Sequence, residues 1–148
     1  AIRDRHGLAP LVFTNPGMEV LATTFGRLYG EGAVVVPLLP LDRVGALMRE
    51  CAFVVTGDTA LMHLAFGLKR PTLVLFTYTR PEMVAPDDAP CIGCFVENAS
   101  GEMYRGKLAG SVDVPVELAI ERFGDLVKLA GAVSGLDRYD PRRSRHWK

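Results

Sequence analysis

Asp58, Thr59 and His63 fall within six positions of one another in the run Val54-Val55-Thr56-Gly57-Asp58-Thr59-Ala60-Leu61-Met62-His63-Leu64-Ala65. An apolar stretch breaks at Gly-Asp-Thr and resumes with leucines at helical spacing, so the break reads as a strand-to-helix turn. The first amides of such a helix lack intrahelical partners. Asp58 and Thr59 are ordinary N-cap residues and can satisfy them, or the amides can point at an anion. His63 sits one turn further on. The positive end of the helix dipole disfavours imidazolium there, so the ring needs an anion beside it or remains neutral. At about 100° per residue, His63 falls opposite Leu61, Leu64, Ala65 and Leu68, which are expected to face the core. Met62 and Phe66 share its outward direction on this reading, leaving apolar surface for a second domain.

The elements that would hold these residues alternate. Strand-like runs are Pro10 to Thr14, Ala33 to Val36, Ala52 to Thr56 and Thr72 to Phe76, each bounded by Gly, Pro or Asp. Between them lie helical stripes at Leu21, Thr24, Phe25 and Leu28, then at Leu41, Val44, Leu47, Met48 and Cys51, then at Leu61 to Leu68. Strands that are continuously apolar and linked through helices predict an α/β fold, a doubly wound, Rossmann-like parallel sheet. After Phe76 comes a Pro, Gly and Asp-rich stretch to about Val112, and then a closing helix striped by Val116, Ile120, Phe123 and Val127, with Asp113 placed to cap it.

Ligands of open parallel sheets bind beyond the carboxyl ends of the strands. Besides Gly57-Asp58-Thr59, the first strand ends at Thr14-Asn15-Pro16-Gly17-Met18-Glu19 and the second at Pro37-Leu38-Leu39-Pro40. Glu19 suits a ribose hydroxyl pair, and it equally suits the dipole of a helix start. Leu38, Leu39 and Leu41 could cover a base ring or belong to the core.

The 148 residues are 49% hydrophobic, enough for one compact domain spanning residues 1–148. Lys+Arg and Asp+Glu both number 17, so no global basic field exists to hold nucleic acid, and none is expected as a partner. The basic cluster of Arg142, Arg143, Arg145 and Lys148 reads as a solvated tail. No apolar run approaches the roughly 18 residues of a membrane helix. Cys91 and Cys94 form a C-x-x-C in the Pro/Gly-rich stretch, with no second ligand pair for zinc and no helix head for redox chemistry. They read as loop thiols without a metal. Walker, G-x-G-x-x-G and G-x-S-x-G motifs are absent. A receiver domain would also place an aspartate at the end of a central strand, but it needs an acidic pair after the first strand, where Thr14-Asn15-Pro16 stands.

From Pro10 to the closing helix the chain resembles the C-terminal, donor-binding half of glycosyltransferase family 9, the bacterial heptosyltransferases of the lipopolysaccharide inner core. The resemblance rests on D-T-x-x-x-H-L-A, here Asp58 to Ala65, followed by Arg70-Pro71-Thr72-Leu73-Val74-Leu75-Phe76, and on LPLDRVGALMRECAFVV before it. It implies a GT-B architecture with a nucleotide-diphosphate sugar, typically ADP-heptose, in the cleft. By matched position, Asp58 would bond the sugar, while Thr59 and the amides near Ala60 and Leu61 would hold the diphosphate. His63 would lie beside them, Glu19 would take the ribose and Leu39 would pack on adenine. No metal or other cofactor is implied, since helix amides can stabilise the leaving diphosphate. The glycan or glycolipid acceptor and the catalytic base would belong to an N-terminal half upstream, so no catalytic residue is expected here and this chain alone should bind donor without transferring sugar. The implied location is cytoplasmic, or peripheral at the inner face of the inner membrane. The family usually has Gly where Ala60 and Thr77 stand, and an acid where Arg80 stands. A catalytically inactive GT-B binding or assembly module, or another nucleotide-sugar enzyme of GT-B shape such as an epimerase, is the alternative.

Overall fold

The computed structural model describes residues 2–77, 79, 81–86, 91–95, 103–104, 107–108 and 114–132. In chain order the elements are α1 (Ile2–His6), β1 (Leu11–Val12), α2 (Glu19–Tyr29), β2 (Val34–Val35), α3 (Leu41–Glu50), β3 (Val54–Gly57), α4 (Ala60–Gly67), β4 (Thr72–Phe76), α5 (Pro81–Val84), β5 (Cys91–Phe95), β6 (Met103–Tyr104), β7 (Lys107–Leu108) and α6 (Val116–Ala132). Strand and helix alternate through β4, as the periodicity predicts, and the alternation continues through α5 and β5, where a Pro/Gly-rich loop is expected. The chain divides into two compact units, Ala1–Leu47 and Met48–Lys148. The capping position Asp113, the Arg80 position and the basic C-terminal cluster lie outside the described residues.

In the first unit β1 and β2 pair in parallel, Leu11 with Val34 and Val12 with Val35. Asn15-Pro16-Gly17-Met18 turns the chain from β1 into α2. The Met18 amide donates to the Asn15 carbonyl at 2.9 Å, and Gly17 takes φ 82°, the positive value a type II turn requires at its third residue. The expected stripe of α2 is not buried. Leu21 and Leu28 are 63% and 83% exposed, and Ala22 is the buried residue. Two strands of two residues each give this eleven-residue helix little sheet to lie on.

In the second unit β3, β4 and β5 form a parallel sheet in that order, with β4 in the middle. Thr72 to Phe76 have the bounds the sequence predicts, because Pro71 and Thr77 close an uninterrupted apolar run. Alternation along the strands sorts the side chains by face. Val74, Phe76 and Cys91 join Met62 and Phe66 of α4 in one buried cluster, with Val84 and Ala85 packed against it. Helix α6 lies against β4 and β5, with Phe123 and Leu126 buried and the Phe123 ring edge-on to Phe53 at 5.4 Å. The α/β class with parallel strands is therefore as expected, here in two parallel sheets.

Two details of the second unit differ from the sequence reading. The buried face of α4 is Met62, Ala65 and Phe66, whereas Leu61, Leu64 and Leu68 are half-buried. His63 is the one polar residue of Ala60–Gly67, so periodicity could not say which of its apolar sides is covered. Met62 and Phe66 leave no outward apolar surface. The cysteine pair is also not in a loop: Cys91–Phe95 runs parallel to β4, Leu73 opposite Ile92 and Leu75 opposite Cys94. Cysteine packs as a small apolar residue, which makes Cys-Ile-Gly-Cys-Phe a strand core.

Three residues apart on a strand, Cys91 and Cys94 point to opposite faces. They therefore cannot share a metal or a disulfide. Burial pushes the Cys91 thiol from its ordinary 9.0 up to about 12. Cys94 rises to about 11 through burial, with the Arg122 guanidinium pulling it back. Iodoacetamide at pH 8 is expected to label the half-buried Cys51 of the folded chain first and to reach Cys91 and Cys94 only on unfolding, checked by peptide mass. The pH dependence follows the same sign. The unfolded thiols lose protons first, so stability is whole below about pH 9 and falls as pH rises from there toward 12.

Helix α4 ends in a Schellman turn. The Lys69 amide donates to Phe66 O at 2.9 Å and the Arg70 amide to Ala65 O at 3.0 Å, with Lys69 at φ 54°.

Candidate functional site at the carboxyl end of β3

Strand β3 runs out at Gly57, and Asp58 and Thr59 carry the chain over the sheet edge into α4. Gly57 holds no left-handed conformation here, and a Cβ on it would meet Leu75 O at an ordinary 3.8 Å. Thr59 is the N-cap, extended at φ −141° and ψ 172°, and its carbonyl accepts the Met62 amide at 3.0 Å. Its side chain makes no capping hydrogen bond. The hydroxyl lies instead 3.3 Å from the Thr56 hydroxyl, which donates to Gly57 O at 3.1 Å. Of the two fates open to the helix start, Thr59 does not supply the cap. The helix presents its first-turn amides beyond the carboxyl end of a parallel strand, the position at which such sheets hold anions.

Around that turn the structure gathers five of the expected residues. Asp58 is half-buried and, among the described residues, its carboxylate has no hydrogen bond or ion pair. Ala60 is exposed and Leu61 half-buried. His63 is exposed as expected, its ring edge-on to Phe66 at 6.3 Å and 87°. Glu19 and Leu39 belong to the first unit. Glu19 opens α2, exposed, with its carbonyl accepting Thr23 Oγ1 at 2.8 Å, and Leu39 is half-buried beyond the end of β2. Thr56 is the residue that sequence reasoning passed over. Its signal was a hydroxyl within an apolar strand three positions before Thr59.

Among the described residues no group of three or more His, Cys, Asp or Glu is placed to hold a metal, and no helix is long and apolar enough to cross a membrane.

All of these candidates lie inside residues 16–109, the region that matches glycosyltransferase family 9 (heptosyltransferase). The chain belongs to glycosyltransferase family 9. Within the family it is similar to lipooligosaccharide heptosyltransferase 2 of Haemophilus influenzae, 31% identical over 93 residues. That alignment takes in 59% of this chain and 27% of the relative, so this family 9 chain matches about a quarter of the relative's length. No solved structure matches it.

Proposed function

We propose that this chain is the donor-binding part of a heptosyltransferase, taking a nucleotide-diphosphate sugar linked to ADP for transfer to a lipopolysaccharide core or related glycan. The observation that carries the reading is the start of α4, left without a side-chain cap at the end of β3 within the family match. A diphosphate is the leaving group of such a transfer. Fixed amides receive its growing negative charge without reorganising, and they do so most effectively where water is excluded.

The roles follow by position. Ala60 and Leu61 supply amides to the diphosphate, with Thr59 adding its hydroxyl. His63, exposed one turn on, lies beside the phosphates. Asp58, whose carboxylate has no partner among the described residues, accepts sugar hydroxyls. Glu19 takes the ribose diol and Leu39 the adenine face. The acceptor and the base that activates it are supplied by another part of the enzyme, and the reaction takes place on the cytoplasmic side, where the glycolipid acceptor is met at the membrane surface. The Ala60 methyl in the phosphate turn favours a second reading, an inactive binding module, and donor affinity separates the two.

Asp58→Ala is expected to weaken an ADP-linked sugar about tenfold while leaving ADP within about twofold, because hydrogen bonds to a charged acceptor contribute about 1.5–3 kcal/mol. Calorimetric titration of both ligands checks it. Equal losses for the two would remove Asp58 from the sugar.

A further inference from the structure

Among the described residues two polar side chains are buried, Thr72 at 0% exposure and Thr79 at 6%. The fold treats them differently. At the start of β4 the Thr72 hydroxyl donates to the Arg70 carbonyl at 2.7 Å, which offsets its loss of water. The Thr79 hydroxyl has no hydrogen-bond partner among the described residues. A hydroxyl buried in that way carries the full cost of desolvation, and native structures keep few such groups without a use for them.

The place of Thr79 in the chain indicates the use. Strand β4 is the middle strand of its sheet and ends at Phe76, so Thr79 stands three residues beyond its carboxyl end. Strands β3 and β4 are parallel, with Gly57 opposite Leu75, and they run out at the same end of the sheet. Asp58 follows β3 at that end, half-buried and likewise without a partner among the described residues. Two polar groups that the fold leaves unspent therefore follow neighbouring strands, at the end where open parallel sheets take their ligands. The chemistry of Thr79 narrows the ligand group. Its hydroxyl is neutral and can both give and accept a hydrogen bond. An anion drawn to so buried a position would lose more hydration than one neutral donor returns, whereas another hydroxyl is an equal exchange.

We infer that Thr79 is a second sugar-binding residue of the donor site, its hydroxyl exchanging a hydrogen bond with a hydroxyl of the transferred sugar. This deepens the donor-binding reading and rests on it. Asp58 supplies the charged acceptor and Thr79 the neutral contact.

The experiment titrates the full 148-residue chain with ADP-heptose and with ADP by calorimetry, and melts each variant in parallel. Thr79→Val keeps the branched shape and removes the hydroxyl. It is expected to weaken ADP-heptose about threefold to tenfold, the size of one net hydrogen bond, and to leave ADP within about twofold. Its melting midpoint should be no lower than the native one, because the fold loses a polar group that it does not satisfy. Thr79→Ser is expected to restore ADP-heptose to within about twofold of the native chain. A lowered midpoint in Thr79→Val would mean that the fold itself, or a trapped water, uses the hydroxyl. That result, full ADP-heptose affinity in Thr79→Val, equal losses for the two ligands, or failure of Thr79→Ser to recover binding would each overturn the inference and leave the donor reading intact. No binding of either ligand by the native chain would overturn the donor reading, and this inference with it.

Discussion

The Ala60→Glu chain is expected to melt no earlier than the native chain and to have lost its affinity for ADP. The two effects have opposite signs because they come from the same charge. Ala60 is the first residue of α4 and is exposed. A carboxylate there interacts favourably with the helix dipole, typically by about 0.3–1 kcal/mol. The same carboxylate would occupy the approach of a diphosphate. Unit charges 4 Å apart near a protein surface repel by about 4 kcal/mol at an effective dielectric of 20, so a loss of tenfold or more is expected even after relaxation and screening. Thermal melting together with ADP titration reads both halves. An Ala60→Glu chain that binds ADP as the native chain does would move the diphosphate away from α4.

Phe76→Ala should be the most damaging single truncation in the second unit. Phe76 is 0% exposed at the end of the middle strand and packs in the cluster with Met62, Phe66, Val74 and Cys91. Removing a buried phenyl costs about 3–5 kcal/mol, through lost transfer energy and the cavity left behind. Domains of this size are stable by about 5–15 kcal/mol, so a large share of the total would go. Urea unfolding followed by circular dichroism measures it as a lowered midpoint at unchanged slope. A change below about 1 kcal/mol would mean that the cluster is not the core on which α4 is seated.

How far the sequence could be read depended on whether neighbouring residues contrasted. Strand β4 was legible to the residue because Pro71 and Thr77 bracket Thr72 and four apolar side chains, and the turn from β3 to α4 was legible because glycine, acid and hydroxyl interrupt one apolar run before another begins. Strand β5 was missed because three of its five residues are Cys91, Gly93 and Cys94, residue types that also furnish metal loops. Burial decided between the two, and burial comes from α4 and α6, far along the chain. The orientation of α4 was misread for the opposite reason. With His63 as its only polar residue, the pattern correctly set that histidine outside but could not rank the other sides, and contact with Val74 and Phe76 chose Met62 and Phe66. The hydroxyl pair of Thr56 and Thr59 had only the spacing of three positions as its signal, and whether the two meet depends on the path of the backbone at the end of β3.

The Schellman turn gives α4 a lopsided anchorage. At its far end, Lys69 and Arg70 tie the last carbonyls down, and a side chain other than glycine accepts a left-handed backbone to do so. Met62 and Phe66 bolt the middle to the sheet. The near end carries no latch of its own, yet it has little freedom to wander because everything behind it is fixed. The entropy of ordering those amides has therefore been surrendered during folding, before any ligand arrives. A guest reaching this end of the helix finds a receptor already in shape, and its binding energy need not be diverted to building one.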